Sequence, residues 1–392
     1  MATLAIIPSL PVRFVAPDKV LLTHKFVEGM ALYAKLWDGP VIANMHPNAL
    51  ATTGNLDDEV FSLQELPFEV RCADFSSNKL LSALADADAV MLGGDHRLKN
   101  LTQWCRKNGK KAVYLTEYSL KTRLQIIDAE VLNPIIRWRK YFWEWRQERR
   151  NQRSVAVADA VQCNGTPTYD AYRQLNPNTL LFHDSRVTAD MLADSAVLAA
   201  RHAAMRDNGH IRLAYSGRLT AMKGADDLVE VARHLKEMGV AFTLDIFGEG
   251  MQRPVMAQRI SEYKLEQQVK LHGIVDYATE LQPFVKNSVD LFVCCHRQGD
   301  PACTYLETMA CGVPVAGYAN EALTGLTENR EVGWTTALNQ PEKLARQIAT
   351  LYQDQEQLCS AGKTALEFAR THTFENEFGM RIAQIRELLS SG

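Results

Sequence analysis

Two stretches of this 392-residue sequence carry side chains in patterns that could do chemistry. In the first, Tyr215 to Gly224, an apolar run enters a turn at Gly217 and places Arg218 and Lys223 beside the expected start of a helix. The backbone N–H groups and dipole of a helix start favour an anion, and two added cations suit a diphosphate. The same residues would serve equally as solvated charges on a surface loop. In the second stretch, Cys294 to Ala316, an apolar strand opens into a polar loop carrying Asp300, Pro301 suits a helix start, Glu307 lies on that helix and Gly312 stops it. Glu307 is then expected about two turns above the helix N-terminus, within reach of a ligand held there.

The elements that must position these residues follow a strand-then-helix rhythm. Short apolar runs at Leu4–Ile7, Val41–Asn44, Ala89–Leu92 and Ala112–Leu115 predict strands in the first half, with helices over Lys19–Trp37 and Asn78–Ala87. In the second half, strands are predicted at Ile211–Tyr215, Phe242–Phe247, Val269–Leu271, Leu291–Cys294 and Val313–Ala316. Leu228, Val231, Ala232, Leu235 and Met238 recur at helical spacing, and Gly239 supplies a left-handed cap. This alternation implies parallel sheets covered on both faces, an α/β architecture. The polar stretch Arg206 to Gly209 marks the join, giving domains at 1–206 and 207–372, and residues 373–392 form a terminal helix expected to pack back on the first domain.

Composition removes several classes. With 46% hydrophobic and 23% charged residues the chain is a folded globular protein, not a disordered one. A formal net charge of −3 provides no global positive field for a nucleic-acid backbone. The eight cysteines include no CxxC pair, so reduced thiols in a cytoplasmic setting are expected. The N-terminus lacks a basic leader, and no uncharged apolar run is long enough to span a bilayer, so any membrane contact is peripheral.

The two chemical windows together resemble the nucleotide-sugar domain of the GT-B retaining glycosyltransferases of family 4, or group 1. That family carries Gly-Arg-Leu-x3-Lys-Gly and, later, Glu-x7-Glu followed by Met-Ala-x-Gly-x-Pro-Val. Here the corresponding residues are Gly217, Arg218, Leu219, Lys223 and Gly224, then Glu307, Met309, Ala310, Gly312, Pro314 and Val315. Asp245 to Gly250 and Leu271 to Gly273 match intervening segments, and the resemblance covers about residues 210–380. It implies two Rossmann-like domains facing across a cleft. Arg218 and Lys223 would bind the donor diphosphate and Glu307 the ribose. Gly273 and Ile274 would lie near the base, while Gly217, Gly248, Cys303 and Thr304 complete the donor site. The family's first acidic residue falls at Gly299, and the nearest carboxylate is Asp300, one position later. Asp300 is carried over as its replacement, contacting the sugar hydroxyls. No metal or other cofactor is implied.

The first half resembles the family's acceptor domain weakly. A glycine pair common after the first strand is replaced by Pro8-Ser9-Leu10, and an active-site histidine by Glu117. Glu117 would accept a proton or bind a sugar hydroxyl, or else simply face water at a strand end. His96, after Gly93-Gly94-Asp95, is a second acceptor-side candidate because open α/β sheets bind ligands at that edge. Residues 137–153 interleave seven basic residues with five aromatics, among them three of the six tryptophans. Either this segment contacts a membrane surface, as a lipid-linked acceptor would require, or its aromatics face the core.

The implied function is transfer of a sugar from UDP or GDP to a saccharide or lipid-linked saccharide. A GT-B epimerase and a non-catalytic nucleotide-sugar-binding subunit are the alternatives.

Overall fold

The computed structural model describes residues 1–48, 58–98, 100–131 and 133–390. Its first half contains strands β1 (Leu4–Ile7), β2 (Arg13–Ala16), β3 (Lys19–Thr23), β4 (Val41–Met45), β5 (Asp58–Ser62), β6 (Glu69–Cys72), β7 (Ala89–Leu92), β8 (Lys111–Thr116), β9 (Ala160–Asn164) and β10 (Thr179–Phe182). Its second half adds β11 (Ile211–Ser216), β12 (Phe242–Phe247), β13 (Val269–Gly273), β14 (Leu291–Cys294), β15 (Val315–Tyr318) and β16 (Gly333–Thr336).

The larger sheet runs β10-β9-β8-β7-β1-β4-β6 and the other β13-β12-β11-β14-β15-β16, with every pairing in both parallel. Strands β1, β4, β7 and β14 are buried along their whole length, as continuous apolar runs must be when helices cover both faces. A small antiparallel sheet, β2-β3-β5, lies beside the first domain.

Both large sheets reverse direction of growth at one point, between β1 and β7 and between β11 and β14. Chains leaving the strand ends at such a point diverge and open a crevice. The loops after β1 and β7 in one domain, and after β11 and β14 in the other, are therefore the ones able to reach a ligand between the domains.

Two local expectations change. Lys19–Thr23 is strand β3, and the helix begins only at His24, where Thr23 caps it by accepting from the Phe26 N–H at 3.2 Å. The chain also lies against the second domain well before Arg206. The Ala193 N–H donates to the Ala310 carbonyl at 2.8 Å, and Arg201, on helix Ser195–Asn208, donates to the carbonyls of Lys286, Cys311 and Gly312.

The terminal helix Phe374–Ser390 crosses back to the first domain. Its Arg381 Nε donates to Gln162 Oε1 at 2.9 Å, and Ile382 and Ile385 join the apolar cluster around β1. Among the described residues no helix is long and apolar enough to cross a membrane.

Candidate active site

A cavity of about 740 Å³ opens between the domains. Strand ends and loops of the first domain line most of it, including Pro8 to Leu10, Gly93 to Asp95 and Thr116 to Tyr118; Asp300 to Cys303 close it from the second.

Asp300 is fixed from both sides. Lys223 Nζ donates to its Oδ2 at 2.7 Å, while the neighbouring Gly299 accepts from Thr122 Oγ1 and donates its N–H to Gln125 Oε1 at 3.1 Å. The loop is thereby pinned across the domain boundary. Gly165, with φ +72°, allows the close approach, since an added Cβ would stand 2.7 Å from Pro301 Cβ. Lys223 is only 7% exposed, and Asp300 is the counter-charge beside it where little water reaches.

The helix Cys303–Ala310 begins at Ala302, whose side chain offers no cap, leaving the first N–H groups, those of Cys303 and Thr304, without one. Pro301 lies just before this helix and not within it, so Glu307 stands about one turn from its start instead of two. Burial raises the Glu307 pKa, opposed by Arg186 and Lys25, which places the carboxyl among cations contributed from outside its own helix. Lys25 Nζ in turn holds Asp184 Oδ2 at 2.5 Å and lies 3.8 Å from Cys303 Sγ. Burial and the nearby Asp184 push the Cys303 thiol up to about 12.

Arg218 is exposed, and its charge is felt by the Tyr118 hydroxyl on the opposite lip, which burial pushes up to about 12. Glu117, beside Tyr118, lines the cavity; its side chain is accessible from the cleft, yet lost hydration and the neighbouring Asp184 raise its pKa.

Gly217, Gly248 and Gly273 bring the ends of β11, β12 and β13 together. Gly217 donates its N–H to Phe247 O at 3.1 Å, and Gly248 donates to Gly273 O at 2.7 Å. A Cβ on Gly248 would lie 2.0 Å from the Gly217 carbonyl oxygen, so these two loops touch only because residue 248 carries no side chain. Ile274, following Gly273, is 67% exposed.

The geometry departs from expectation in three places. The helix start after Lys223 is not an open anion site, because Asp226 and Asp227 occupy its first turn and bind Arg297. His96 does not line the cavity; its ring packs edge-on against Trp143 at 5.7 Å, and the adjacent Asp95 faces the cavity in its place, held by Arg97 at 2.5 Å. Four of the five aromatics of residues 137–153, Trp138, Phe142, Trp143 and Trp145, are exposed and do not face the core.

Lys25, Asp184 and Arg186 have no counterpart among the sequence-derived candidates. Asp184 and Arg186 directly follow β10, the edge strand of the first sheet, so recognising that strand would have put them at the ligand-binding edge.

Residues 200–368 match the family described as glycosyl transferases group 1. The similarity to this family is confined to that part of the chain. The matched stretch contains Arg218, Lys223, Asp300 and Glu307.

The chain is 30% identical over 181 residues to the putative colanic acid biosynthesis glycosyltransferase WcaL of Escherichia coli K12, covering 44% of this chain and 42% of that protein. It is 29% identical over 195 residues to the amylovoran biosynthesis glycosyltransferase AmsK of Erwinia amylovora, covering 47% and 46%. The alignments thus span less than half the length of these relatives.

Among solved structures, Anabaena Alr3699/HepE in complex with UDP matches with a TM-score of 0.70 at 15% identity, covering 100% of both chains. The lipopolysaccharide outer core galactosyltransferase WaaB in its apo form matches with a TM-score of 0.65 at 11% identity, covering 100% of this chain and 99% of that one. The shared architecture, two parallel-sheet domains with a crevice between them, is the GT-B fold.

Proposed function

We propose that this protein is a retaining, metal-independent glycosyltransferase that moves a hexosyl group from a nucleoside-diphosphate sugar to a saccharide or lipid-linked saccharide acceptor in polysaccharide assembly. The observation that carries it is the Lys223–Asp300 pair at the wall of the interdomain cavity, with Arg218 near enough to act on the cavity-lining Tyr118 and Glu307 on the helix whose first residue, Cys303, lines the same wall. UDP in the structurally similar HepE complex and the names of the WcaL and AmsK relatives support donor and pathway class.

As the glycosidic bond to the leaving diphosphate breaks, negative charge grows on the phosphate oxygens while the sugar becomes cation-like. Arg218, Lys223 and the uncapped helix start at Cys303-Thr304 stabilise that charge. Glu307 binds the ribose, Ile274 flanks the base, and Asp300 contacts the sugar hydroxyls while orienting Lys223. The acceptor lies in the first-domain cavity, where Glu117 hydrogen-bonds a hydroxyl, and the leaving phosphate takes the acceptor proton on the same face of the sugar.

A second reading, a nucleotide-sugar-binding subunit without turnover, is favoured by the same Lys223–Asp300 pair, which already neutralises one of the two cations. A thermal-shift panel with UDP, GDP and ADP, followed by product analysis with the stabilising donor and saccharide acceptors, separates the two. Binding at a hundred times Kd should raise stability by about 2.7 kcal/mol. Transfer with retained anomeric configuration supports the transferase, stabilisation without transfer supports the binding subunit, and no stabilisation by any nucleotide removes both.

A further inference from the structure

The helix Pro134–Val157 is inside out. The side chains it turns toward the protein, Arg137, Tyr141, Glu144, Glu148, Asn151 and Val155, recur every three or four residues and are mostly polar. Each polar one has a partner: Arg137 Nε donates to Val131 O at 2.9 Å and Tyr141 bonds Asp128. Glu144 and Glu148 both hold Arg123, at 2.8 Å and 2.6 Å, and Asn151 accepts from Tyr114 at 3.0 Å.

The outward side carries the apolar residues. Ile135 is 72% exposed, Trp138 70%, Phe142 57% and Trp145 54%. Soluble surfaces scatter single apolar side chains, and a contiguous run of this kind marks a contact face. Between these residues stand Arg139, Lys140, Arg146, Arg149 and Arg153, all exposed. Both carboxylates of the helix are turned inward onto Arg123, so its outer face is purely cationic on a chain whose net charge is −3.

We propose that this face docks the protein on an anionic lipid surface, the aromatic side chains entering the headgroup region and the basic residues pairing with lipid phosphates. Tryptophan beside arginine suits the polar–apolar boundary of a bilayer, where the ring is half buried and the guanidinium stays wet. Charge complementarity to anionic headgroups, with no carboxylate on this face to oppose it, favours a bilayer over another protein surface. The inner stripe of the same helix reaches the cavity, because Asn151 and its partner Tyr114 both line it. Docking would therefore hold the first-domain cavity close to the membrane. The proposal does not depend on which reaction the cavity performs.

The test is co-sedimentation of the full chain with vesicles of phosphatidylcholine alone or mixed with phosphatidylglycerol. Wild type, Trp138→Ser/Phe142→Ser and Arg146→Gln/Arg149→Gln are compared, with circular dichroism and the nucleotide thermal shift read on the same samples. Wild type should pellet with the mixed vesicles, with a blue shift in tryptophan emission, and release at high salt. The arginine variant should bind roughly thirtyfold more weakly, from about a factor of five for each basic residue. The aromatic variant should lose the blue shift, and both variants should keep wild-type circular dichroism and thermal shifts. Wild type remaining in the supernatant, or binding both vesicle types equally, would overturn the proposal. So would a dimer in solution that the aromatic variant dissociates, which would assign the face to a second copy.

Discussion

Lys223 Nζ and Asp300 Oδ2 lie 2.7 Å apart, and this ion pair ties the two chemical windows of the second domain together at the interdomain cleft. A carboxylate at Asp300 meets the lysine directly, while the backbone of Gly299 is spent on Thr122 and Gln125 of the other domain.

The pair should behave as a buried one. Asp300→Ala leaves Lys223 with little water and no counter-charge, so it should lower stability by about 3 kcal/mol, read from denaturant unfolding. Lys223→Met removes the charge itself and should cost less stability than Asp300→Ala while abolishing more activity. An equal and negligible loss in both would show that the two groups are independently solvated.

Arg218 is exposed, so its removal tests chemistry with little effect on folding. Arg218→Ala should leave the melting temperature within about a degree or two of wild type and lower turnover by about two to three orders of magnitude, the scale for losing one stabilising donor of transition-state charge.

Glu117 gives a pH-dependent signature. Burial, followed by repulsion from Asp184, raises its pKa, so the fold favours the protonated carboxyl. The stability this contributes is complete below the unfolded-state pKa and is lost as pH rises through the raised native value. Glu117→Gln, which mimics the protonated form, should melt with wild type near about pH 4 and above it near about pH 8. A lower melting temperature for the variant at high pH would contradict the assignment.

Gly248, at φ +123°, faces the Gly217 carbonyl so closely that a Cβ would sit 2.0 Å from the oxygen. Gly248→Ala combines an unfavourable backbone angle with a collision against main chain that cannot rotate aside. It should cost about 2–4 kcal/mol in thermal or denaturant unfolding and lower nucleotide affinity with it. Unchanged stability would mean that the two loops separate readily.

Much of the second domain was legible because its periodicities are clean. The run Phe242–Phe247 and the helical repeat from Leu228 both appear as the alternation predicts, and the glycines at 217, 248 and 273 sit where the chain needs backbone freedom. The first domain was harder to read. Strand β3 merges with the following helix because Val20, Leu21 and Leu22 continue its apolar content, and only Thr23, the cap, separates them. Strand β10 is a short edge strand after a polar turn, so Asp184 and Arg186 beyond it carried no signal of their own.

Helix Pro134–Val157 shows the limit of composition. Five aromatics suggest a core face, yet the polar stripe through Glu144 and Glu148 is what binds the protein. Partners on other elements, Arg123 for the two glutamates and Tyr114 for Asn151, reveal which side turns in.

Calorimetric titration of UDP, UMP and uridine into wild type, Arg218→Ala and Lys223→Met tests the diphosphate grip directly. Wild type should bind UDP far more tightly than UMP or uridine, and each substitution should erase most of that difference while leaving uridine affinity unchanged. Equal affinity of wild type for all three, or UDP binding that survives both substitutions, would contradict the assignment of these two cations to the pyrophosphate.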